Sequence, residues 1–181
     1  MLLTPTTPTK SLDPAYKLRP EREQIERFKD RFKTLFGYID EKESEENIKD
    51  HLMDFLKEVY YKESYVVAPK GKTDFVIHLG KDAASPAGVL FEVKRPANRS
   101  EMVSRENLNT KAFHELLLYY FQERSRDRNS DLRHCVVTNV YEWYIFDAAL
   151  IDRVFYRNAW LKKEYTAWAT GQKVSRNNDL F

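Results

Sequence analysis

TDFVIHLGKDAASPAGVLFEVKRP, residues 73–96, holds two apolar runs of strand composition joined by a loop with Gly80, Ser85, Pro86 and Gly88. Side chains of a strand alternate between faces. Asp74, Val76 and His78 therefore share one face of the first run, and Phe75, Ile77 and Leu79 the other. In the second run Leu90, Glu92 and Lys94 share a face opposite to Val89, Phe91 and Val93. An antiparallel hairpin centred near Ala83 sets Asp74 opposite Glu92, on one face, with Cβ atoms roughly 5 Å apart. Two carboxylates so opposed repel unless a cation stands between them. A hard divalent cation such as Mg²⁺, which takes carboxylate oxygens, meets that need. The competing reading is a surface patch in which Lys94 neutralises one carboxylate.

Outward from this hairpin the chain reads as alternating helices and strands. Residues 21–36 predict a helix started by Pro20 and Glu21, striped by Ile25, Phe28, Phe32, Leu35 and Phe36, and ended by Gly37. A second helix is predicted over 44–61, capped by Ser44, with Ile48, Leu52, Phe55, Leu56 and Val59 as its buried stripe. Glu45 lies at the edge of that stripe and Glu46 does not; first-turn stabilisation of the helix dipole accounts equally for both. Residues 64–68 predict a short strand ended by Pro69. After Pro96 a polar stretch, residues 97–110, reads as a loop over the site. A helix over 107–124 follows, with Phe113, Leu116, Leu117, Tyr120 and Phe121 on its apolar face. Residues 132–140 predict a strand buried on both faces, because HCVVTNV is nearly continuous in apolar character. A tight turn near Val140 and Tyr141 leads to a strand over 142–146, and residues 148–171 read as helical and aromatic. The order implies an α/β (α+β) fold, a mixed sheet with helices on its faces. Residues 1–20, with four prolines, read as an extended arm, 21–147 as the core, and 148–181 as a helical segment leading to a further domain.

Composition narrows the function classes. The 181 residues are 42% hydrophobic and 32% charged, so the chain can fold around a core. A net charge of +2 gives no global basic field, and nucleic-acid binding would need a local patch. The single cysteine, Cys135, excludes a disulfide framework and a cysteine zinc site. His51, His78, His114 and His134 fall on different elements without metal-ligand spacing. With no leader-like start and no membrane-length apolar run, the chain is expected in the cytoplasm, without a membrane partner.

A helix, three strands with D…ExK on the second and third, then a helix and a strand resembles the αβββαβ core of the PD-(D/E)xK nucleases, a restriction-endonuclease-like fold. The phrases EKESEEN, FEVKRPANRSEM, NLNTKAFHELLLYYFQER and VVTNVYEWYIFDA resemble the N-terminal nuclease region of bacterial type IIG restriction-modification proteins. That resemblance implies an Mg²⁺-dependent endonuclease domain (Mn²⁺ in its place) acting on double-stranded DNA. It makes Asp74 and Glu92 metal ligands with the Val93 carbonyl, and Lys94 the residue that positions or activates water. A helical glutamate near the metal is implied as well, Glu45 or, alternatively, Glu46. Glu115 and Tyr119 stand at the spacing of a QxxxY motif, with Glu in place of Gln, as supporting residues. Arg95, Arg99, Ser100, Arg105 and Lys111 are the expected DNA contacts; a solvated charged loop is the plain alternative. No methyltransferase or target-recognition motif is present, so the resemblance makes such downstream domains expected partners, and a transient dimer on DNA is expected because one centre cuts one strand at a time. The rival readings are the nuclease domain of a type I-like system and a non-catalytic DNA-binding or docking module of the same fold.

Overall fold

The computed structural model describes residues 4–40 and 42–174. Two short turns, α1 (Pro8–Ser11) and a 3₁₀ turn (Pro14–Tyr16), precede α2 (Arg22–Tyr38) and α3 (Glu45–Leu56). Then come β1 (Val67–Lys70), β2 (Thr73–His78), β3 (Ala87–Val93), α4 (Lys111–Ser125), β4 (His134–Thr138), β5 (Trp143–Asp147), α5 (Ala148–Ile151) and α6 (Ala159–Ala169). The five strands form one sheet in sequence order. All neighbours are antiparallel except β3 and β4, which are parallel. The α4 crossover makes that parallel pair feasible, since parallel strands cannot be joined by a tight turn. This is the expected mixed sheet flanked by helices.

The β2–β3 register is the one the sequence predicts. Phe75 pairs with Phe91, Val76 with Leu90 and Ile77 with Val89. The Phe75 and Phe91 rings stack at 4.4 Å, a cross-strand pair that resists slippage. A one-residue slip would turn one strand's side chains to the opposite face and take both rings out of this stack. Phe75, Ile77, Phe91 and Val93 bury one face against Leu52, Phe55 and Leu56 of α3. Val76, Leu90 and Val137 bury the other against Leu116, Leu117 and Tyr120 of α4. The sheet is thus covered on both faces, and the ends of β2 and β3 lie between two helices.

Helix α3 starts where the sequence places it. Ser44 Oγ accepts the Asn47 N–H at 3.1 Å, satisfying one orphan donor of the first turn. That cap also fixes the direction in which Glu45 leaves the helix. Ser44→Ala is expected to cost about 1 kcal/mol of stability, read as a lower urea midpoint with an unchanged slope. No change in midpoint would remove the cap from this account.

Several boundaries differ from expectation. The arm carries two helical turns over 8–16 because Pro8 and Pro14 occupy first helical positions, where their missing N–H is harmless. Gly37 does not end α2; the helix runs through it to Tyr38. Of the α2 stripe only Leu35 is buried, and Ile25 and Phe32 are exposed. β1 passes through Pro69 because it is an edge strand, where a missing donor is tolerated, and its pairing shifts register there. A π-helical turn over Lys57–Tyr61 finishes the α3 segment. α4 begins at Lys111, four residues late. The predicted helix over 148–171 breaks at Arg157 and Asn158, and Asn158 caps α6 by accepting from Trp160 and Leu161 N–H groups. The expectations for residues 1–3 and for the tail beyond Val174 lie outside the described residues. Among those described, no helix is long and apolar enough to cross a membrane.

Candidate functional site

Asp74 is the second residue of β2 and Glu92 the last but one of β3, so the antiparallel pairing brings both to one end of the sheet. Val93 N–H donates to Asp74 Oδ2 at 2.6 Å, which locks the Asp74 side chain to the β3 backbone. In a strand the N–H and C=O of one residue point to the same edge, so the Val93 carbonyl faces the Asp74 side. Lys94 N–H turns the other way, to Thr138 O of β4 at 2.9 Å.

Lys94 is the centre of the cluster. Its Nζ lies 2.5 Å from Glu92 Oε1, 2.8 Å from Glu115 Oε2 and 3.7 Å from Glu45 Oε1. Glu92 is 2% exposed and Lys94 3%, which removes the surface salt bridge as a reading. Helix α3 supplies Glu45 from its first turn, and α4 supplies Glu115. Glu46 points to solvent and pairs with Lys49 at 2.5 Å, so it is Glu45 that faces the cluster. Tyr119 is buried one turn beyond Glu115.

The electrostatics follow from this burial. Burial, reinforced by the Asp74 charge, pushes the Glu92 carboxyl up to about 9 against the opposing pull of Lys94. Burial also pushes Glu115 up, but the Lys94 ammonium and the neighbouring Glu92 carboxyl outweigh it and hold Glu115 below the ordinary value. Burial thus favours the neutral form of Glu92, while Lys94 favours the ionised form of Glu115. Burial lowers the Lys94 pKa, but attraction to Glu92 and Glu115 overrides it and the net shift is upward. Lys94 is an ammonium here, not a free base. Burial and the surrounding carboxylates push the Tyr119 phenol up as well, so it stays neutral.

Sequence reasoning passed over Lys49. It sits one turn after Glu45 on α3, and its Nζ is 3.2 Å from Asp74 Oδ1. Burial lowers its pKa, but bonding to Glu46 and the Asp74 charge outweigh that and raise it. The i,i+4 spacing of Glu45 and Lys49 was the available signal, since such residues share a helix face.

The chemistry of the donors suits a hard cation. Asp74, Glu92, Glu45 and Glu115 offer only oxygen, and Glu92 Oε2 is buried without a hydrogen-bond partner. Among the described residues, however, no three His, Cys, Asp or Glu side chains are arranged to hold a metal ion as they stand. Lys94 and Lys49 supply the positive charge instead.

The expected DNA contacts divide. Arg95, Arg99, Ser100 and Arg105 are exposed on the segment after β3. Lys111 is exposed too, but it pairs with Glu101 at 3.3 Å and approaches Glu115 at 3.9 Å. The segment is a loop, as expected, and Met102, Val103 and Leu108, buried in the α4-side core, tie it down. The histidines have ordinary roles. His78 is buried with Nδ1 2.6 Å from Ser85 O, and His51 stacks on Tyr38 at 4.2 Å. A cavity of about 270 Å³ beside that stacked pair contains none of the predicted site residues.

The chain belongs to the DUF7149 family, described as a domain of unknown function, whose profile matches residues 6–181. No curated protein and no solved structure matches it.

Proposed function

We propose that this chain is the nuclease domain of a restriction-modification enzyme, with a restriction-endonuclease-like core that hydrolyses phosphodiester bonds of double-stranded DNA. The observation that carries this reading is the set at one sheet end: Asp74 of β2 bonded to Val93 N–H beside Glu92 of β3, Lys94 buried against Glu92, and Glu92 Oε2 left without a partner. Mg²⁺, or Mn²⁺ in its place, would be held by Asp74, Glu92 and the Val93 carbonyl, and supplies polarisation of the phosphate and a more acidic bound water. The protein's own groups do the rest. Lys94, kept protonated, sets a fixed positive charge where negative charge develops on the phosphate. Glu115 holds that ammonium in place, and Glu45 approaches it from α3. Arg95, Arg99, Ser100 and Arg105 contact backbone phosphates, with Lys111 joining when it leaves Glu101. Such contacts position DNA without reading sequence, which falls to downstream target-recognition and methyltransferase domains.

A second reading has its own support. Lys94 already lies within ion-pair distance of three carboxylates, which suits a purely structural ion cluster in a docking module. Supercoiled plasmid separates the two. With Mg²⁺ the chain is expected to convert it to nicked circles, and with EDTA it is not. Intact plasmid under Mg²⁺ and under Mn²⁺ would favour the structural cluster.

A further inference from the structure

We propose that Lys49 is a resident counter-ion of Asp74 that a divalent cation must displace, so that this α3 lysine sets the metal affinity of the site. The inference rests on the metal-site reading above and adds a residue to it. Both oxygens of Asp74 are engaged: Oδ2 by Val93 N–H and Oδ1 by Lys49 Nζ. The Val93 bond ties Oδ2 to the β3 backbone, which gives that oxygen a fixed neutral donor. Oδ1 is therefore the oxygen open to exchange, and Lys49 is the group that holds it.

The charges support exchange rather than addition. Four acidic side chains face the cluster, Asp74, Glu92, Glu45 and Glu115, with the two lysines Lys49 and Lys94 among them. A divalent cation bound at Asp74 would stand within a few ångströms of Lys49 Nζ, and like charges so close repel strongly at partial burial. Both partners are well covered, with side-chain exposures of 14% and 12%, so solvent screening is limited. Lys49 has somewhere to go. Glu46, exposed at the helix surface, already touches its Nζ at 2.5 Å and can keep the ammonium when Asp74 is taken. The lysine thus acts as a latch between an inner and an outer carboxylate.

Isothermal titration of the metal-free chain with Mn²⁺ tests this. Lys49→Met keeps the length of the side chain and removes its charge. It is expected to tighten Mn²⁺ binding about tenfold, the effect of about 1.4 kcal/mol of relieved repulsion. Lys49→Arg keeps the charge and is expected to bind like the original chain. In an Asp74→Asn background the gain from Lys49→Met disappears, because the lysine acts through Asp74. Urea midpoints of the metal-free variants verify that each is folded. Mn²⁺ binding by the original chain with no tightening in Lys49→Met overturns the role of Lys49 and leaves the metal site standing. Binding by neither chain at millimolar Mn²⁺ overturns the metal site and this inference together.

Discussion

Lys94→Ala is expected to abolish Mg²⁺-dependent plasmid nicking while the chain stays folded near pH 6. Removing one preorganised positive group from a transition-state site costs at least about a hundredfold in rate. The concern is stability, because Lys94 is buried against Glu92 and Glu115. Deleting one partner of a buried ion pair costs about 3–5 kcal/mol when the other is left charged. Glu92 need not stay charged. Its carboxyl is already pushed up to about 9 by burial and the Asp74 charge. Loss of Lys94 removes an opposing pull, so the carboxyl holds its proton more firmly, and the penalty near pH 6 falls below that range. The penalty should grow as pH rises. Lys94→Arg should not restore nicking, since a planar guanidinium does not fit a space built for a compact ammonium. The measurement is nicking rate beside the urea midpoint at pH 6 and pH 8. Equal nicking by Lys94→Ala and the original chain would sink the proposed chemistry, whatever the midpoints show.

The parts of this site readable from sequence are those that follow from a period of two. Asp74 opposite Glu92 required only strand alternation and a hairpin centre, and the Phe75–Phe91 pairing agrees with that register. Glu45 over Glu46 followed from the apolar stripe of α3, because a helix period fixes which first-turn residue faces inward. The harder parts depend on depth. Nothing in the spacing of Glu92 and Lys94 distinguishes a surface pair from one sealed beneath α4; burial is a property of what packs on top. The segment after Pro96 is the loop its composition implies, but its anchoring is hidden for the same reason. Its composition is polar, yet Met102, Val103 and Leu108 anchor it, and three such anchors in fourteen residues give no periodic signal. The start of α4 was placed too early because Asn107, Leu108 and Asn109 do not oppose a helix by propensity alone. Here Leu108 is buried, and Asn107 and Asn109 bond locally instead. Pro69 reads as a strand end because nothing in the sequence places β1 at the sheet edge, where a missing donor is tolerated.

The metal-free chain is expected to lose stability as pH rises from about 5 to about 9, with Glu92 as the main cause. Its folded carboxyl is raised from 4.5 to about 9 by burial first, then by Asp74 and Glu115, against the pull of Lys94. In that window the folded chain binds a proton at Glu92 that the unfolded chain has released. Stability must then fall as pH rises. The contribution is full below the unfolded value of 4.5 and is lost as pH rises through the folded value of about 9. Each pH unit in the window costs at most about 1.4 kcal/mol, which at a urea slope of about 2 kcal/mol/M lowers the midpoint by up to about 0.7 M. Other groups work elsewhere, in reverse or, like the Cys135 thiol that burial pushes up, only near the top of the window. Asp127, held down to about 2 first by Arg126 and then by Lys70, contributes stability that is lost only in acid. Glu115 is lowered, so its stabilisation is present throughout the window. Burial lowers His114, which adds stability as pH rises through its range and partly masks the decline below pH 7. The clean region is therefore pH 7 to 8, below the range in which the thiol of Cys135, pushed up by burial in the folded chain, ionises in the unfolded chain. Glu92→Gln, a neutral side chain of the same shape, should flatten the slope there and make the variant the more stable protein at pH 9. A midpoint that falls equally in both proteins would assign the buried proton to some other group. Mg²⁺ adds a second check. A cation that replaces the Glu92 proton stabilises the folded state more as that proton becomes easier to remove, so its effect on the midpoint should be larger at pH 8.5 than at pH 6 in the original chain and small at both in Glu92→Gln.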